Sequence, residues 1–396
     1  MADTVTVDID EMLNNPPSTP SKPIMFRVGD HLRSINPEAY DPEIIAIGPF
    51  HHDKPHLQSM EQHKLRYLRL LLQRREEPSV ERYVTEIRPF EDRARKCYAE
   101  AICPNRADFV KMLILDGCFI IEFLRKFQHP EYRDENDRIF QYVHVVGHLL
   151  HDLMVSENQI PFFIIDQLFN MIKINDEDNV ESLISPLLGN SILPAQDLPE
   201  VPVNGHHLLG IVHDIQCSSF ARIFRNVESG DPHNMANINS AVELKEAGIS
   251  FKKSEESLFR NLIAYEHYLT GSPQKYVTDY VFLLHCLVHS PEDAKLLRRC
   301  GIISNFSGSD EVVYHVINQL GKNIIISNNF SYSNIFCKVK RYCDRPWNLR
   351  MATLRRDYFS SPWALISVLA ATILLVLAIT QTTFAILSFR NDLKGN

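Results

Sequence analysis

The chain has 396 residues, of which 45% are hydrophobic and 23% charged, so it can bury a large core and is not disordered throughout. Its net charge of -8 disfavours nucleic acid as the main ligand, because phosphate binding requires a basic surface. The sequence contains only 14 glycines and has neither a glycine-rich phosphate loop nor a G-x-S-x-G elbow, which removes several common enzyme classes.

The first half of the chain begins with a tail and continues with helical patterns. Residues 1–23 are acidic, rich in proline and asparagine, and lack an apolar stretch, which predicts a disordered tail without a secretory signal. Residues 24–49 contain two short apolar runs and are expected to be extended. Apolar residues then recur every three or four positions from Leu57 to Leu72, which predicts a long helix. After a break at Glu76-Glu77-Pro78, a second helical pattern runs from Val80 to Tyr98, with an expected interruption at Pro89.

The most hydrophobic part of the body lies in the middle of the chain. Phe109–Phe127 is apolar on most sides, which predicts a helix buried at the centre of a bundle. A further helical region, Phe140–Ile172, is expected to be interrupted at Ile160-Pro161. Residues 185–206 are rich in proline, glycine and asparagine and indicate a linker or long surface loop. They form a possible boundary inside one helical domain that spans residues 24–357.

Capping signals divide the second half into helices. Residues 240–243 form a Ser-x-x-Glu capping box. Leu258–His289 is expected to be mostly helical, and two further helices are predicted between Ser290 and Gly301 and between Ser309 and Gly321. The fold class is therefore mainly α: a helical cytosolic domain with a few short strands, followed by one C-terminal transmembrane helix.

The predicted transmembrane segment occupies residues 360–389, followed by a short tail at residues 390–396. No charged residue occurs from Tyr358 to Phe389, and about 20 apolar residues in a helix cross the roughly 30 Å hydrocarbon core of a bilayer. The residues that carry this prediction are Pro362, Trp363, Leu365, Leu369, Leu374 and Leu377.

Charge beside this segment predicts its orientation. Arg350, Arg355 and Arg356 precede it, whereas only Arg390 and Lys394 follow it. The positive-inside rule therefore places the N-terminal domain in the cytosol, without distinguishing the plasma membrane from an endomembrane. The basic flank is expected either to contact anionic lipid headgroups or to form an ordinary solvated surface.

Histidines that could bind a metal are concentrated near the start of the first long helix. His51, His52, His56 and His63 lie close to Glu61, and imidazole with carboxylate is a donor set for zinc. His51 and His52 are adjacent and point apart, and no H-E-x-x-H spacing occurs. The interpretation is a solvated loop and helix start, with no metal or cofactor predicted.

Three acidic residues lie in apolar surroundings and have two possible roles. Asp116 and Glu122 lie inside one apolar run, and Glu157 precedes another. They could form a catalytic acid–base site, or a structural network with helix-end amides and with Arg93, Arg95 or Arg260. The network is favoured because no nucleophile or phosphate loop accompanies them, and Glu266 is interpreted in the same way. No catalytic residue is predicted, and the residues expected to matter structurally are Asp116, Gly117, Cys118, Glu157, Asn158, Gln159, Pro161 and Glu266.

Several segments, taken together, resemble one known family. They are AIGPFHH, MEQHK, RARKCYAE, MLILDGCFIIEFL, ENQIPFFII, AVELKEAGISFK, RNLIAYEHY and SPWALIS, in this order along the chain. The chain resembles the plant family known as domain of unknown function 247. The resemblance implies a plant membrane protein with a helical cytosolic domain and a C-terminal anchor. Most members have no assigned activity, and some grass members are associated with self-incompatibility.

These observations lead to two hypotheses about function. The first is a non-enzymatic, membrane-anchored interaction or signalling protein whose partners are membrane lipids and unknown proteins. The second is a hydrolase or transferase with an unfamiliar site built from Asp116, Glu122 and Glu157. Convergence of these carboxylates in a solvent-accessible pocket would favour the enzyme, and burial against helix termini and arginines would favour the interaction protein.

Overall fold

The computed structural model describes residues 23–174, 180–184, 187, 205–228, 249–251, 253–269, 274–299, 303–305, 309–326, 330–333 and 362–392. Within these ranges the chain is mainly helical, as predicted. It divides into two compact units, Met1–Ser331 and Tyr332–Asn396.

The N-terminal segment is less extended than the sequence predicts. It contains helix α1 (Asp30–Arg33) and a 3-10 helix (Pro37–Tyr40), where the fixed φ of proline suits a helix start. In this segment of the described chain, one isolated bridge, between Met25 and Tyr98, has a strand-like pattern. Residues 43–48 are neither helix nor strand.

The first long helix and the break after it are confirmed. A 3-10 turn (Pro55–Leu57) leads into α2 (Ser59–Arg74), and Glu76 adopts a positive φ of 55° at the predicted break. Helices α3 (Glu81–Ile87) and α4 (Glu91–Arg95) follow, separated by a 3-10 turn at the predicted proline.

Helix α5 (Arg106–Gln128) lies at the centre of the first unit, as its composition predicts. Asn105 caps it by accepting a hydrogen bond from the backbone N–H of Asp108 (2.9 Å). Nearly all side chains from Phe109 to Lys126 are buried, and the helix contacts α2 and α3. Stacked aromatic rings, Tyr67 on Phe119, contribute to this core.

The region after α5 is helical with the expected interruption. Helices α6 (Arg138–Gln141) and α7 (Val143–Asp152) precede Pro161, and α8 (Phe162–Ile172) follows it and contacts α5. Short helix α9 (Val180–Ile184) and helix α10 (Leu208–Glu228) come next. The linker prediction for residues 185–206 lies largely outside the described residues and stays a prediction, as does the domain end at residue 357.

The second half confirms two of the predicted helix starts. Helix α11 (Lys253–Tyr268) begins five residues before the predicted helical stretch, and α12 (Tyr276–Leu287) lies within it. Helices α13 (Pro291–Arg299) and α14 (Asp310–Leu320) follow. The hydroxyls of Ser290 and Ser309 accept hydrogen bonds from the first-turn amides of α13 and α14.

A short parallel sheet also belongs to this half, with β1 (Ile249–Phe251) paired to β2 (Ile303–Asn305). These strands were not predicted, and the N-terminal runs that the sequence predicts to be extended form no strand among the described residues. The capping box at 240–243 and Gly301 lie outside the described residues.

The second unit contains helix α15 (Pro362–Asp392). Its stretch Leu369–Leu387 has a mean hydropathy of 2.0, none of it is buried, and its length and composition are sufficient to cross a membrane. Leu369, Leu374 and Leu377 are exposed. Arg350, Arg355 and Arg356, and the side chains of Pro362, Trp363 and Leu365, lie outside what the structure describes.

Candidate functional site

Asp152, at the end of α7, holds three successive backbone amides of segment 43–48. Its carboxylate accepts hydrogen bonds from the N–H groups of Glu43 (2.8 Å), Ile44 (2.8 Å) and Ile45 (2.9 Å). Asp152 is fully buried, and the three donors offset the cost of removing its charge from water. A side chain thus satisfies backbone groups that would otherwise need a neighbouring strand.

Asn158 and Gln159 extend this arrangement. The Asn158 side chain accepts from the N–H of Ile47 (2.7 Å) and donates to the carbonyl of Ile45 (3.1 Å). Gln159 donates to two carbonyls of the preceding turn, at 2.8 and 2.9 Å. Its other amide atom accepts from the N–H of Leu209 (3.2 Å) in the first turn of α10. Both side chains therefore fix the relative positions of neighbouring backbone segments.

Gly48 ends the segment in a conformation that side chains rarely adopt. Its φ is +74°, and a Cβ atom there would lie 2.3 Å from the backbone oxygen of Gln159. Its N–H donates to the Asp116 carboxylate at 2.8 Å. Glycine is required here because the backbone approaches its neighbours so closely.

Asp116 forms a buried ion pair with Lys64 of α2. The Lys64 Nζ lies 2.6 Å from Asp116 Oδ1 and also donates to the carbonyl of Ala46 (2.5 Å). Burial opposes the charge on Lys64, but Asp116 and Glu61 raise the pKa of Lys64 above its ordinary value. Since Gly48 contacts the second oxygen, both carboxylate oxygens of Asp116 have partners.

Glu122 is held by two arginines. Arg74 of α2 approaches both of its oxygens, at 2.9 and 2.7 Å, in a bidentate pair, and Arg125 donates to the carboxylate from the next turn of α5. Glu122 and Arg125 are buried, whereas the Arg74 side chain is partly exposed. This ion pair connects α2 and α5 at the edge of the core.

Glu157 joins the N-terminal segment to the body. Its Oε1 accepts from the N–H of Val28 (2.6 Å) and from the guanidinium of Arg33 (2.5 Å). On the Oε2 side, His51 Nε2 lies at 3.6 Å and Arg27 Nη1 at 3.7 Å. Burial, with a contribution from positively charged neighbours, lowers the pKa of His51 to about 3. His51 is therefore neutral at physiological pH.

The three carboxylates each have their own cation, and the basic partners differ from those that the sequence predicts. Their partners are Lys64, Arg74 with Arg125, and Arg33. The arginines expected to pair with them have other contacts: Arg93 lies over the ring of Phe163, Arg95 pairs with Glu91, and Arg260 pairs with Glu256. Spacing along the chain could not identify these pairs, because each basic partner except Arg125 lies on another segment of the chain.

The other predicted motif residues of this region are buried in helix contacts. Leu168 of α8 comes so close to Gly117 that a Cβ atom there would lie 2.4 Å from its side chain. Cys118 is fully buried, which raises the pKa of its thiol above the ordinary value. Pro161 precedes α8, where its missing N–H costs nothing.

Among the described residues, the histidines near α2 do not belong to a group of side chains close enough to share a metal ion. His56 is exposed, but His51 is buried, so the expectation of a solvated loop is wrong for His51. His56 and His63 instead line an open groove of about 270 Å³ together with Glu43 and Arg138. The groove combines apolar walls with groups of both charges.

His207 caps α10 in the neutral form. Its Nδ1 accepts a hydrogen bond from the N–H of Gly210 (3.2 Å), so this nitrogen carries no proton. Burial lowers the pKa of His207 to about 3, with His206 and His213 contributing in the same direction. An acceptor at a helix N-terminus satisfies an amide that would otherwise lack a partner.

A second polar cluster joins α10, α11 and the start of α12. His213 Nε2 lies 2.9 Å from Glu266 Oε1 and 3.2 Å from Cys217 Sγ. Glu266 also accepts from the N–H of Val277 (3.0 Å) and from the N–H of Thr278 (2.7 Å), so it caps α12. Among the described residues, His213, Cys217 and Glu266 are the group of side chains arranged closely enough to hold a metal ion.

Sequence reasoning singled out Glu266 but not its two partners. His213 and Cys217 are four residues apart on one helix, a spacing that places both side chains on the same face. That signal was available, whereas the approach of Glu266, 53 residues further on, depends on how α11 packs. Lys64 is the last residue of the MEQHK segment, but its buried ion pair with Asp116 was likewise not predicted.

Comparisons with known proteins find the same plant family that the sequence motifs resemble. A plant family described as a protein of unknown function matches residues 25–257 and 252–377. The UPF0481 protein At3g47200 of Arabidopsis thaliana is 30% identical over 422 residues, which cover 94% of this chain and 88% of that protein. A second UPF0481 protein of Arabidopsis thaliana, At3g02645, is 22% identical over 479 residues, covering 90% and 89%. No solved structure matches the chain.

Proposed function

The chain belongs to the domain of unknown function 247 family of plant proteins, and we propose that it is a non-enzymatic interaction component anchored to a membrane. In this proposal α15 crosses the bilayer, and the helical domain works on the cytosolic side through contacts with protein partners. The exposure of α15, a long apolar helix, is the observation that carries the proposal.

The surface of α15 supports an anchor. Every described side chain in Leu369–Leu387 is exposed, and such an area of apolar surface in water would be costly. Two of its threonine hydroxyls are satisfied inside the helix, since Thr380 donates to the carbonyl of Val376 (2.9 Å) and Thr382 donates to that of Ala378 (2.7 Å). Internal hydrogen bonds of this kind suit a lipid environment, where no water can satisfy a hydroxyl group.

The flanking charge supports a cytosolic domain. Arg350, Arg355 and Arg356 lie 6 to 12 residues before the helix start at Pro362, where positively charged residues favour the cytosolic face. The same residues would contact anionic headgroups, adding on the order of 1 kcal/mol each to membrane attachment.

The state of the buried carboxylates supports a non-enzymatic role. Asp116, Glu122 and Glu157 are buried, and each contacts a basic side chain. A general acid or base needs contact with substrate and a pKa near the working pH. Carboxylates already committed to structural ion pairs fit the interaction hypothesis better than the hydrolase or transferase alternative.

An exposed apolar pair offers a surface for protein contacts. Among the large apolar side chains that the structure describes, Val143 is the most exposed, at 88%, and the adjacent Tyr142 is 54% exposed. Tyr142 also lines the groove beside α2. Apolar side chains next to a groove are typical of surfaces that protein partners cover.

Extraction of membranes tests the anchor. The full chain should remain in the pellet after an alkaline carbonate wash, and a variant with Leu369→Arg, Leu374→Arg and Leu377→Arg should move to the supernatant. The same three positions changed to Ile serve as the matched control and should stay in the pellet. Release of the unmodified chain would contradict the proposal.

Protease protection of a doubly tagged chain tests the orientation. Only the tag after α15 should be shielded, since the helical domain is placed in the cytosol. Asn305 and Asn329 each begin an N-x-S sequon, which is glycosylated only on the side of the membrane away from the cytosol. Glycosylation at either residue would therefore show that the topology is the reverse of the one proposed.

The interaction role is tested separately by proximity labelling in plant tissue. Protein neighbours should be labelled reproducibly, and Val143→Lys should remove part of the set without changing membrane attachment or the melting temperature. The interaction role would be contradicted if the purified chain turned over a substrate and the folded variant Glu157→Gln did not. That result would support the enzyme instead.

A further inference from the structure

We propose that His213, Cys217 and Glu266 form a binding site for a zinc-type divalent cation, with Asp214 positioning the histidine. The site lies between α10 and α11, apart from the Glu157 and Asp116 network. It goes beyond the proposed interaction function and does not depend on the membrane anchor.

The three donor atoms already lie close together. His213 and Cys217 are separated by one helical turn on α10, and Glu266 reaches them from α11. The imidazole Nε2 is 2.9 Å from the carboxylate Oε1 and 3.2 Å from the thiol Sγ, and all three atoms lie within 4.8 Å of one another. Neighbouring ligands of a tetrahedral zinc ion are about 3.5 Å apart, so binding requires only small shifts.

Contacts behind the donors hold two of them in place. Glu266 Oε2 accepts from the N–H (2.7 Å) and hydroxyl (2.5 Å) of Thr278, and Oε1 accepts from the N–H of Val277 (3.0 Å). These bonds fix the carboxylate plane and leave the second lone pair of Oε1 directed at His213. A carboxylate oriented in this way needs little reorganisation to bind a cation.

Asp214 supplies the contact that metal-binding histidines usually make. Its Oδ1 lies 3.3 Å from His213 Nδ1, the ring nitrogen that does not contact Glu266; the Cys217 Sγ is nearer to Nε2 (3.2 Å) than to Nδ1 (3.8 Å). A proton on Nδ1 would be donated to Asp214 and would leave Nε2 free as an acceptor. Carboxylate, histidine and metal in this order are common in protein zinc sites.

Charge and access are also suitable. A thiolate and a carboxylate would balance a dication, and the mixed nitrogen, sulfur and oxygen donor set suits zinc. His213 and Glu266 are buried, whereas Cys217 is half-buried, so an ion could enter from that side and keep a water as its fourth ligand.

Protons compete with the cation at this site. Burial lowers the pKa of His213, but Cys217, Asp214 and Glu266 outweigh burial and raise it well above the ordinary value. A cation that binds takes the place of the proton on Nε2 and of the thiol proton. Without a cation, the same contacts would simply connect α10 to the start of α12, and the experiment separates the two cases.

Cobalt and zinc binding to the purified full chain in detergent test the site. Co²⁺ should bind with about one equivalent per chain and give a sulfur-to-cobalt charge-transfer band, which Zn²⁺ should then remove. Cys217→Ser should abolish the band, and Asp214→Asn, which leaves the three donors intact, should weaken zinc binding about 10-fold to 100-fold.

Cys97→Ser and Cys286→Ser are the matched controls, because both cysteines are half-buried and lie outside the cluster. They should leave the band and the zinc affinity unchanged. Alkylation is a second measurement: bound Zn²⁺ should slow the alkylation of Cys217 but not that of Cys97. If Cys217→Ser failed to fold, the unmodified chain would still decide through its spectrum and its protection pattern. No sulfur band in that chain, or a band retained in a folded Cys217→Ser variant, would overturn the proposal.

Discussion

Helices α5 and α15 are both long and mostly apolar, but they treat their polar groups in opposite ways. In α5, Asp116 and Glu122 form bonds to Lys64 and Arg74 on α2. In α15, threonine hydroxyls donate to carbonyls of their own helix, as Thr382 does to Ala378. The carboxylates of α5 thus bond to another helix, whereas these threonine hydroxyls of α15 bond within their own helix.

The partners of the polar side chains say more about the surroundings of a helix than its hydropathy does. Apolar content predicts that each helix avoids water, but it does not say whether protein or lipid replaces the water. The partners of the polar side chains distinguish the two cases, because a helix in the protein interior must be specified relative to its neighbours. The following experiments test that distinction, beginning with the largest expected effect.

The same substitution should have opposite consequences in the two helices. Leu113→Arg places a charge in the fully buried face of α5 and should lower the free energy of unfolding by more than about 4 kcal/mol. Leu374→Arg in α15 should change it by less than about 0.5 kcal/mol but cost about 2.5–3.5 kcal/mol of membrane insertion. Denaturant unfolding and carbonate extraction measure the two effects. Equal destabilisation by both variants would contradict the distinction.

Breaking the buried ion pair of α5 should be the next largest effect. Lys64→Met leaves the Asp116 carboxylate buried without a cation and should cost about 3–5 kcal/mol of stability. The double variant Lys64→Met, Asp116→Asn should recover part of this loss, since the amide oxygen can still accept from Gly48. Leu65→Met, at the exposed neighbouring position, is the control. If Lys64→Met lowered the free energy of unfolding no more than the control does, the ion pair would not contribute to the stability of the core.

Acid should weaken the first unit through its buried neutral histidines. The pKa of His207 falls to about 3 in the folded protein, from an ordinary value near 6.5, so between these values only the unfolded state binds its proton. Stability should therefore fall as the pH decreases from about 6.5 towards 3, by up to about 1.4 kcal/mol per pH unit for this group. His51 should contribute in the same direction.

The variant His207→Asn keeps a cap acceptor and should reduce the acid slope, whereas His56→Asn, at an exposed site, should not. Unfolding measured across this pH range checks the prediction. An unchanged slope in His207→Asn would mean that protonation of His207 is not linked to folding.

The smallest effects concern single hydroxyl groups. Ser309→Ala removes the cap of α14 and should cost about 1 kcal/mol. Thr382→Val in α15 removes a bond within the helix and should change stability by less than about 0.5 kcal/mol, with no effect on membrane extraction. Comparable losses for both would indicate that the α15 hydroxyl also has a partner elsewhere.

The helices were predictable because their signals are local. Apolar spacing located α2 and α5, and Ser290 and Ser309 marked the starts of α13 and α14. The N-terminal segment was not predictable, because its apolar runs suggest a strand while its amides bond to side chains far along the chain.

In the candidate sites, too, the local features were predictable and the long-range contacts were not. Asp116 and Glu157 were recognisable as buried carboxylates, but their cations lie 52 and 124 residues away in sequence. Nothing local selects Lys64 or Arg33 among 41 basic residues. Such pairs are set by the packing of distant helices, which a single sequence does not reveal.

Segment 43–48 has a consequence for the order in which the protein is made. The side chains that accept hydrogen bonds from its backbone amides belong to Asp116, Asp152 and Asn158, which lie 68 to 111 residues later in the chain. A nascent chain leaving the ribosome therefore carries Ile44, Ile45 and Ile47 uncovered until at least residue 158 has emerged. During that interval these isoleucines are exposed to chaperones and to other nascent chains. Segment 43–48 therefore reaches its final contacts only after Asn158, 111 residues beyond Ile47, has been made.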